Sequence, residues 1–324
     1  MNSEATFNSR EYAGEQDLPA MRDLLTAISD ADGLDRPYSI EEIGRDIEGP
    51  NNDPRRDVRL WEDGQGGLAA IGWLWTPAPL DTTDGILYSF RPRPDMRGIG
   101  IESEIMDWAE ARMRELGAER GLPARLFGSA PGTDSYGLSV LEAHGFTPER
   151  YFFRMACPLD QDFPEPEFPQ EIKLDYSHGE QDLRRWVDAY NQSFIDHWNH
   201  HPLSYEDAIH HTQNDPHYVP ELDLLAITED RTVVAFAFCE IDWPDNRRTG
   251  RKDGWIHLLG TRRGYRKMGL GRAVLLAGLR ALKEHGADTA KLGVDADSPT
   301  GALGLYESAG FRVINKNIVH SKEL

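Results

Sequence analysis

The chain has 324 residues, 39% of them apolar and 28% charged, enough for two ordinary hydrophobic cores. Its 55 acidic against 35 basic residues give a net charge of −20, which argues against nucleic-acid binding and leaves solubility, or steering of cationic small molecules, as the role of the surface. The polar start MNSEATFNSREYAGEQDL does not read as a signal peptide, no apolar run approaches the ~18–20 residues of a membrane span, and Cys157 and Cys239 lack CxxC spacing, so a cytoplasmic protein in a reducing compartment is expected.

In chain order, GLAAIGWLWTP and GILYSFRP read as strands, and GIESEIMDWAEARMREL as a helix. ARLFGSA is a strand candidate, SYGLSVLEAHG a short helix and TPERYFFRMACPL a further strand. CPLDQDFPEPEFPQ follows, with three prolines between Pro164 and Pro169 among alternating acids, a composition that suits a stiff extended linker. Next, DLRRWVDAYNQSF places Leu183, Trp186, Val187 and Tyr190 at helical spacing, and the His-rich DHWNHHPLSYEDAIHHTQ reads as partly helical. DLLAIT, TVVAFAFCEI and GWIHLLGT are strand candidates, the last two joined by the loop DWPDNRRTGRKDG. A helix over 272–285, the strand AKLGVDA, the helix PTGALGLYESA with Gly310 as C-cap, and the strand FRVINKNIVH complete the chain.

The chain is written twice. YAGEQDL ending at Leu18 returns as YSHGEQDL ending at Leu183, an offset of 165, and VLEAHGF ending at Phe146 returns as LYESAGF ending at Phe311, again 165. Between them RGIGIE, starting at Arg97, parallels RKMGLG, starting at Arg266, an offset of 169. The expected organisation is a first domain over 1–157, a linker over 158–171 and a second domain over 172–324, each an α/β domain whose helices cross between strands of one mixed sheet.

RKMGLGRAVLL carries the chemistry. A strand that ends in a glycine-rich turn and enters a helix offers backbone N–H groups at the positive end of the helix dipole, which suits a phosphate. Gly269 and Gly271 let an anion approach the backbone, and Arg247, Arg248, Arg251, Lys252, Arg262, Arg263, Arg266 and Lys267 form a local basic run in an acidic chain. A dinucleotide fingerprint fails for want of a third glycine, and a P-loop for want of GK[ST].

The pattern Arg-x-x-Gly-x-Gly after a strand ending LLGT, with VDADSPTGALGLYESAGF beyond the helix, resembles the GCN5-related N-acetyltransferases (GNAT). SFIDHWNHHPLSYEDAI resembles the substrate-side helices of two-domain members such as the mycothiol synthases. The resemblance implies two GNAT folds in tandem and acetyl-CoA as cosubstrate. It implies that Leu259, Gly260 and Thr261 hydrogen-bond the pantetheine arm and thioester through their backbone. Arg266, Lys267, Met268, Gly269, Leu270, Gly271 and Arg272 would cradle the pyrophosphate. Tyr306 would protonate the departing thiolate. Ser298 stands where the family often has Asn.

Alternation along GWIHLLGT puts Trp255, His257 and Leu259 on one face. Imidazole, with an ordinary pKa of ~6.5, suits a base near neutrality, so His257 is the candidate for deprotonating an amine, with Glu240 at the end of the preceding strand as the alternative. In the first copy Glu102 replaces Gly271, placing a carboxylate where pyrophosphate would lie, and Leu141 replaces Tyr306. The first domain is therefore expected to keep the fold without the chemistry.

His197, His200, His201, His210, His211 and His217 crowd one region, but adjacent histidines diverge on a helix and no metal is expected. Trp198, Tyr205 and Trp243 read as packing residues ahead of pocket walls. The expected function is transfer of an acetyl or short acyl group from acetyl-CoA to the primary amine of a small molecule by direct attack. Mycothiol synthase and a non-catalytic acyl-CoA sensor are the alternatives. Neither nucleic acid nor membrane is an expected partner, and the chain is expected to be a monomer or homodimer.

Overall fold

The computed structural model describes residues 7–34, 36, 38–212 and 218–324. The first half runs β1 (Asn8–Glu11), α1 (Leu18–Asp32), α2 (Ile40–Ile47), α3 (Pro54–Asp57), β2 (Val58–Glu62), β3 (Leu68–Trp75), β4 (Thr83–Ser89), α4 (Ile101–Arg120), β5 (Ala124–Pro131), α5 (Ser135–Ala143) and β6 (Thr147–Pro158). The second runs β7 (Lys173–Tyr176), α6 (Glu180–Phe194), α7 (Tyr205–His211), β8 (Asp223–Ile227), β9 (Val233–Glu240), α8 (Trp243–Thr249), β10 (Asp253–Thr261), α9 (Leu270–Glu284), β11 (Thr289–Asp295), α10 (Ala302–Ser308) and β12 (Arg312–Glu323).

The chain divides into two compact units, but not at the expected boundary. One comprises the residues up to Arg150 together with 317–324, and the other residues 151–316. Each unit thus takes its last strand from the other half of the sequence. In the first, β12 pairs antiparallel with β5 through Asn317↔Pro131 to Glu323↔Arg125. In the second, β6 pairs antiparallel with β11 through Phe152↔Asp295 to Pro158↔Thr289. The proline-rich stretch is no free spacer either: Leu159 is fully buried, and Phe163 and Phe168 pack on the core of the second unit.

The first unit has the strand order β1-β2-β3-β4-β5-β12, antiparallel except for β4 with β5. Its sheet is sandwiched. One face packs Ile101, Ile105, Met106, Ala109 and Met113 of α4, a stripe at helical spacing. The other face packs Met21, Leu24, Leu25 and Ile28 of α1 with Ile43 and Ile47 of α2.

The second unit repeats the plan as β7-β8-β9-β10-β11-β6, with β10 and β11 parallel. Leu270, Val274, Leu275, Leu279 and Leu282 of α9 cover one face, and Leu183, Trp186 and Ala189 of α6 the other. Each such fully buried aliphatic side chain contributes ~1.5–3 kcal/mol. The stretch expected as one loop, DWPDNRRTGRKDG, contains α8, whose N-cap Asp242 accepts from the Asp245 N–H.

Two features of this sheet position the site. The parallel β10–β11 ladder runs only from Asp253↔Thr289 to Ile256↔Leu292, whereas β10 continues to Thr261 with β9 alone. In addition, β10 bulges: Ile256 opposes Cys239 and Leu258 opposes Phe238, leaving His257 as the extra residue.

Candidate active site

The bulge corrects the simple alternation. Trp255 and His257 do share a face, their rings stacked with centroids 5.8 Å apart. The extra residue then flips the phase. Leu258 packs with the α6 cluster, and Leu259 packs with the α9 cluster, away from His257. Gly260 is required where it stands, since a Cβ there would lie 2.4 Å from the Phe236 ring. The backbone of Leu259, Gly260 and Thr261 lies beyond the end of the β10–β11 ladder.

His257 and Glu240, alternatives in the sequence, come together. Glu240 is opposite Trp255 across the ladder, and its Oε2 lies 3.6 Å from His257 Nε2. The imidazole is 42% exposed and the carboxylate 16%. Around them are Phe238, 6.2 Å from the His257 ring, and Tyr218 stacked on Phe238 at 6.3 Å. Arg154 of β6 lies over Trp255 at 5.2 Å.

The glycine-rich loop forms as the pattern requires. Gly269 is the N-cap of α9 with φ 80°, a left-handed conformation, and no side chain caps the helix. Ala273 N–H donates to the Gly269 carbonyl, so the N–H groups of the first turn precede the regular helical ladder. A Cβ on Gly271 would lie 3.3 Å from Thr261 Oγ1. Lys267 takes φ 66°, where a non-glycine residue costs ~1–2 kcal/mol. Such strain concentrates at functional sites. These features fit a phosphate. Met268 is 47% exposed at the loop tip, and Leu270 is buried.

The basic run is largely committed elsewhere, which narrows the expectation of one anion-binding patch. Arg248 and Arg251 pair with Asp245 at 2.9 and 3.1 Å. Arg262 pairs with Asp188 at 2.6 Å. Asp196, which no local pattern singles out, takes both Arg263 and Arg266, and Arg266 also donates to the Ser193 carbonyl at 2.8 Å. Those bonds, Arg266 first, hold the Asp196 carboxyl below its ordinary range. Arg266 therefore ties the loop to the end of α6.

Arg272 Nη1 donates to Ser308 Oγ at 3.0 Å, joining the start of α9 to α10. Tyr306 on α10 is buried and edge-on to Phe311 at 6.0 Å, and burial pushes its phenol up to about 12. Ser298 sits in the turn after β11, its hydroxyl 2.9 Å from Thr300 Oγ1. Cys157 and Cys239 are buried, and desolvation raises both thiols, so neither is poised as a nucleophile.

Tyr205 packs half-buried on the core cluster under α6, whereas Trp198 and Trp243 lie outside the core clusters. Trp198 is edge-on to Phe152, Tyr205 lies under Arg184 at 3.8 Å, and Trp243 is 36% exposed. Burial lowers the pKa of His197 and His200. His217 and the His211 side chain lie outside the described residues. Among the described residues no three His, Cys, Asp or Glu side chains are grouped to hold a metal ion, and no helix is long and apolar enough to cross a membrane.

A glycine-capped helix beyond a strand that outruns its parallel partner defines a class. Residues 183–311 match the acetyltransferase (GNAT) family. Over that segment the chain matches the GNAT acetyltransferases, and its overall fold is that of proteins with two such domains in tandem. It is 28% identical over 303 residues to the mycothiol acetyltransferase of Thermobispora bispora, covering 93% of this chain and 94% of that one. It is 27% identical to the mycothiol acetyltransferase of Kytococcus sedentarius, covering 96% of each. A GCN5-related N-acetyltransferase from Sphaerobacter thermophilus superposes with TM-score 0.73 at 28% identity, covering 100% of this chain and 96% of that chain. A tandem GNAT protein from the clavulanic acid biosynthesis pathway has the same fold, with TM-score 0.73 at 13% identity and coverage of 98% of each chain.

Proposed function

We propose that the second unit alone performs the chemistry, moving an acetyl group from acetyl-CoA to the primary amine of a small molecule. The observation that carries this reading is the His257–Glu240 pair, 3.6 Å apart at the bulge where β10 leaves β11. Acetyl-CoA supplies the acetyl group as a thioester. The N–H groups of Gly269, Leu270 and Gly271, with Lys267, hold the pyrophosphate at the positive end of α9. The backbone of Leu259, Gly260 and Thr261 lines up the arm and the thioester carbonyl.

His257 takes the proton that the amine loses as its nitrogen bonds to the acetyl carbon. Glu240 holds the ring and stabilises the imidazolium. Tyr306 gives its proton to the departing sulfur, and a phenol pushed up to about 12 holds that proton across the working pH range. With both thiols buried, direct attack needs no acyl-enzyme.

The acceptor reading favoured within this class is the amine that mycothiol acetyltransferases acetylate, because relatives of that name align along nearly the whole chain. Calorimetric titration of acetyl-CoA into the wild type and Gly271→Glu tests the assignment of the second unit. One site per chain, abolished in the variant, is expected; two sites, or binding indifferent to the variant, would refute it. A thiol-release assay across amines, a mycothiol-type acceptor included, then tests the acceptor.

A further inference from the structure

The first unit has the same bulge. Leu74 opposes Leu87 and Trp73 opposes Ser89, so Tyr88 is the extra residue of β4, as His257 is of β10. Trp75 opposes Ile86 where Glu240 opposes Trp255. An acid–base pair in one unit is thus an aromatic pair in the other. Trp73 stacks on Tyr88 at 5.2 Å, and Trp75 meets it edge-on at 6.5 Å.

A cation completes the cluster. The Arg36 guanidinium lies 5.2 Å from the Tyr38 centroid and 5.0 Å from that of Tyr88. Its backbone is pinned: Arg36 N–H donates to Ser29 Oγ at 3.2 Å, and the Ser29 hydroxyl donates to the Arg36 carbonyl at 2.9 Å. The guanidinium has no hydrogen-bond or ion-pair acceptor among the described residues. That is unusual in a chain with 55 acids for 35 bases. Asp46, the acid whose charge Tyr88 feels, is taken by Arg45 at 3.0 Å.

A second donor waits in the same cluster. Trp73 is 2% exposed, and its indole N–H is buried without a partner among the described residues. A buried unpaired donor is costly unless something satisfies it. A planar, charged five-donor fork matches a carboxylate, and stacking on tyrosines holds it in one orientation. Arg36, Tyr38, Trp75 and Tyr88 are all part-exposed, so the cluster is open to solute.

We propose that this cluster binds a small aromatic carboxylate, with Arg36 receiving the carboxylate and the tyrosine and indole faces receiving the ring. The site is built from residues of the first unit and uses none of those assigned to acetyl transfer. Calorimetric titration of phenylacetate into the full chain tests it, with benzyltrimethylammonium as the cationic counterpart. One saturable phenylacetate site is expected, weakened at least tenfold by Arg36→Gln and by Tyr38→Leu, with acetyl-CoA binding unchanged in both. Three results would overturn the proposal: no saturable phenylacetate heat in the wild type, an affinity that a folded Arg36→Gln variant leaves intact, or equal or tighter binding of benzyltrimethylammonium. The wild-type comparison of the two probes decides even if a variant fails to fold.

Discussion

At four equivalent positions the first unit lacks the groups to which the proposed chemistry of the second unit is assigned. His257 and Glu240 of the second unit correspond by register to Tyr88 and Trp75 of the first. Gly271 corresponds to Glu102 and Tyr306 to Leu141. The Glu102 side chain folds back into its own loop, where Oε1 accepts from Gly98 N–H at 2.6 Å and from the Tyr136 hydroxyl at 2.7 Å. A carboxylate of the chain thus uses a donor in the loop that parallels the phosphate loop. Leu141 is fully buried, within 2.5 Å of where a Cβ on Gly128 would lie. One scaffold, with its bulge and glycine-capped helix intact, tolerates either set of side chains, so function here resides in a few positions.

The sharpest way to break the comparison is to write the first unit's residues into the second. Gly271→Glu should weaken acetyl-CoA binding by at least about 100-fold, because it sets a carboxylate against phosphates and crowds Thr261. Tyr306→Leu should lower kcat by ~10²–10⁴-fold, the range for a general acid, with much less effect on acetyl-CoA affinity. Unchanged turnover would remove Tyr306 from the mechanism. His257→Gln should cost a similar factor. Glu240→Gln should cost about tenfold if it only orients the ring, and the double variant should then resemble His257→Gln, since residues acting as a unit are not additive. Additive losses would mean that the two act separately.

The reverse exchange probes the plug. Burial pushes the Glu102 carboxyl up, but hydrogen bonds from Gly98 N–H and the Tyr136 hydroxyl pull it lower still, to a net value below its ordinary one. A group depressed in the folded state stabilises above its unfolded pKa and loses that contribution as pH falls through the folded value. Glu102→Gln should therefore lower the unfolding free energy at pH 7 by ~1–2 kcal/mol, for hydrogen bonds to a charged acceptor, and with it the midpoint, the gap closing below about pH 4. A gap constant with pH would show that shape, and not charge, holds the loop.

Much of this contrast was legible in the sequence. Repeated glycines and apolar spacing marked the two halves, and Gly269 and Gly271 announced their loop because only that local chemistry suits it. The strand exchange was not legible, because a terminal β-strand has the same alternation whichever sheet receives it. The bulge at His257 left no mark either: alternation alone put Leu259 on its face, and one extra residue reverses that. The capture of Arg263 and Arg266 by Asp196 joins positions about 70 residues apart, which local pattern does not record.

The smallest expected effect lies outside the chemistry, at another pair of equivalent positions. Val58 opposes Trp73 in the first unit, and Asp223 opposes Phe238 in the second. Val58 is simply buried. Asp223 is 2% exposed, its Oδ1 has no hydrogen-bond partner among the described residues, and Oδ2 accepts from the Tyr218 hydroxyl at 3.2 Å. Burial pushes its carboxyl up to about 6, and bonds from Tyr218 and Ser177 offset only part of that. A raised carboxylate pKa means that the folded state binds the proton more tightly. Stability then falls as pH rises from the unfolded value to about 6, and stays lower above it. Asp223→Asn removes the ionisation while keeping the shape. It should raise the unfolding free energy at pH 7.5 by ~1–3 kcal/mol, and with it the midpoint, and the gain should vanish near pH 4. Thermal melts of both proteins across pH 4–8 measure this directly. An unchanged or lower midpoint at pH 7.5 would mean that Tyr218 and Ser177 satisfy the ionised form, and that the second unit carries this acid without a penalty.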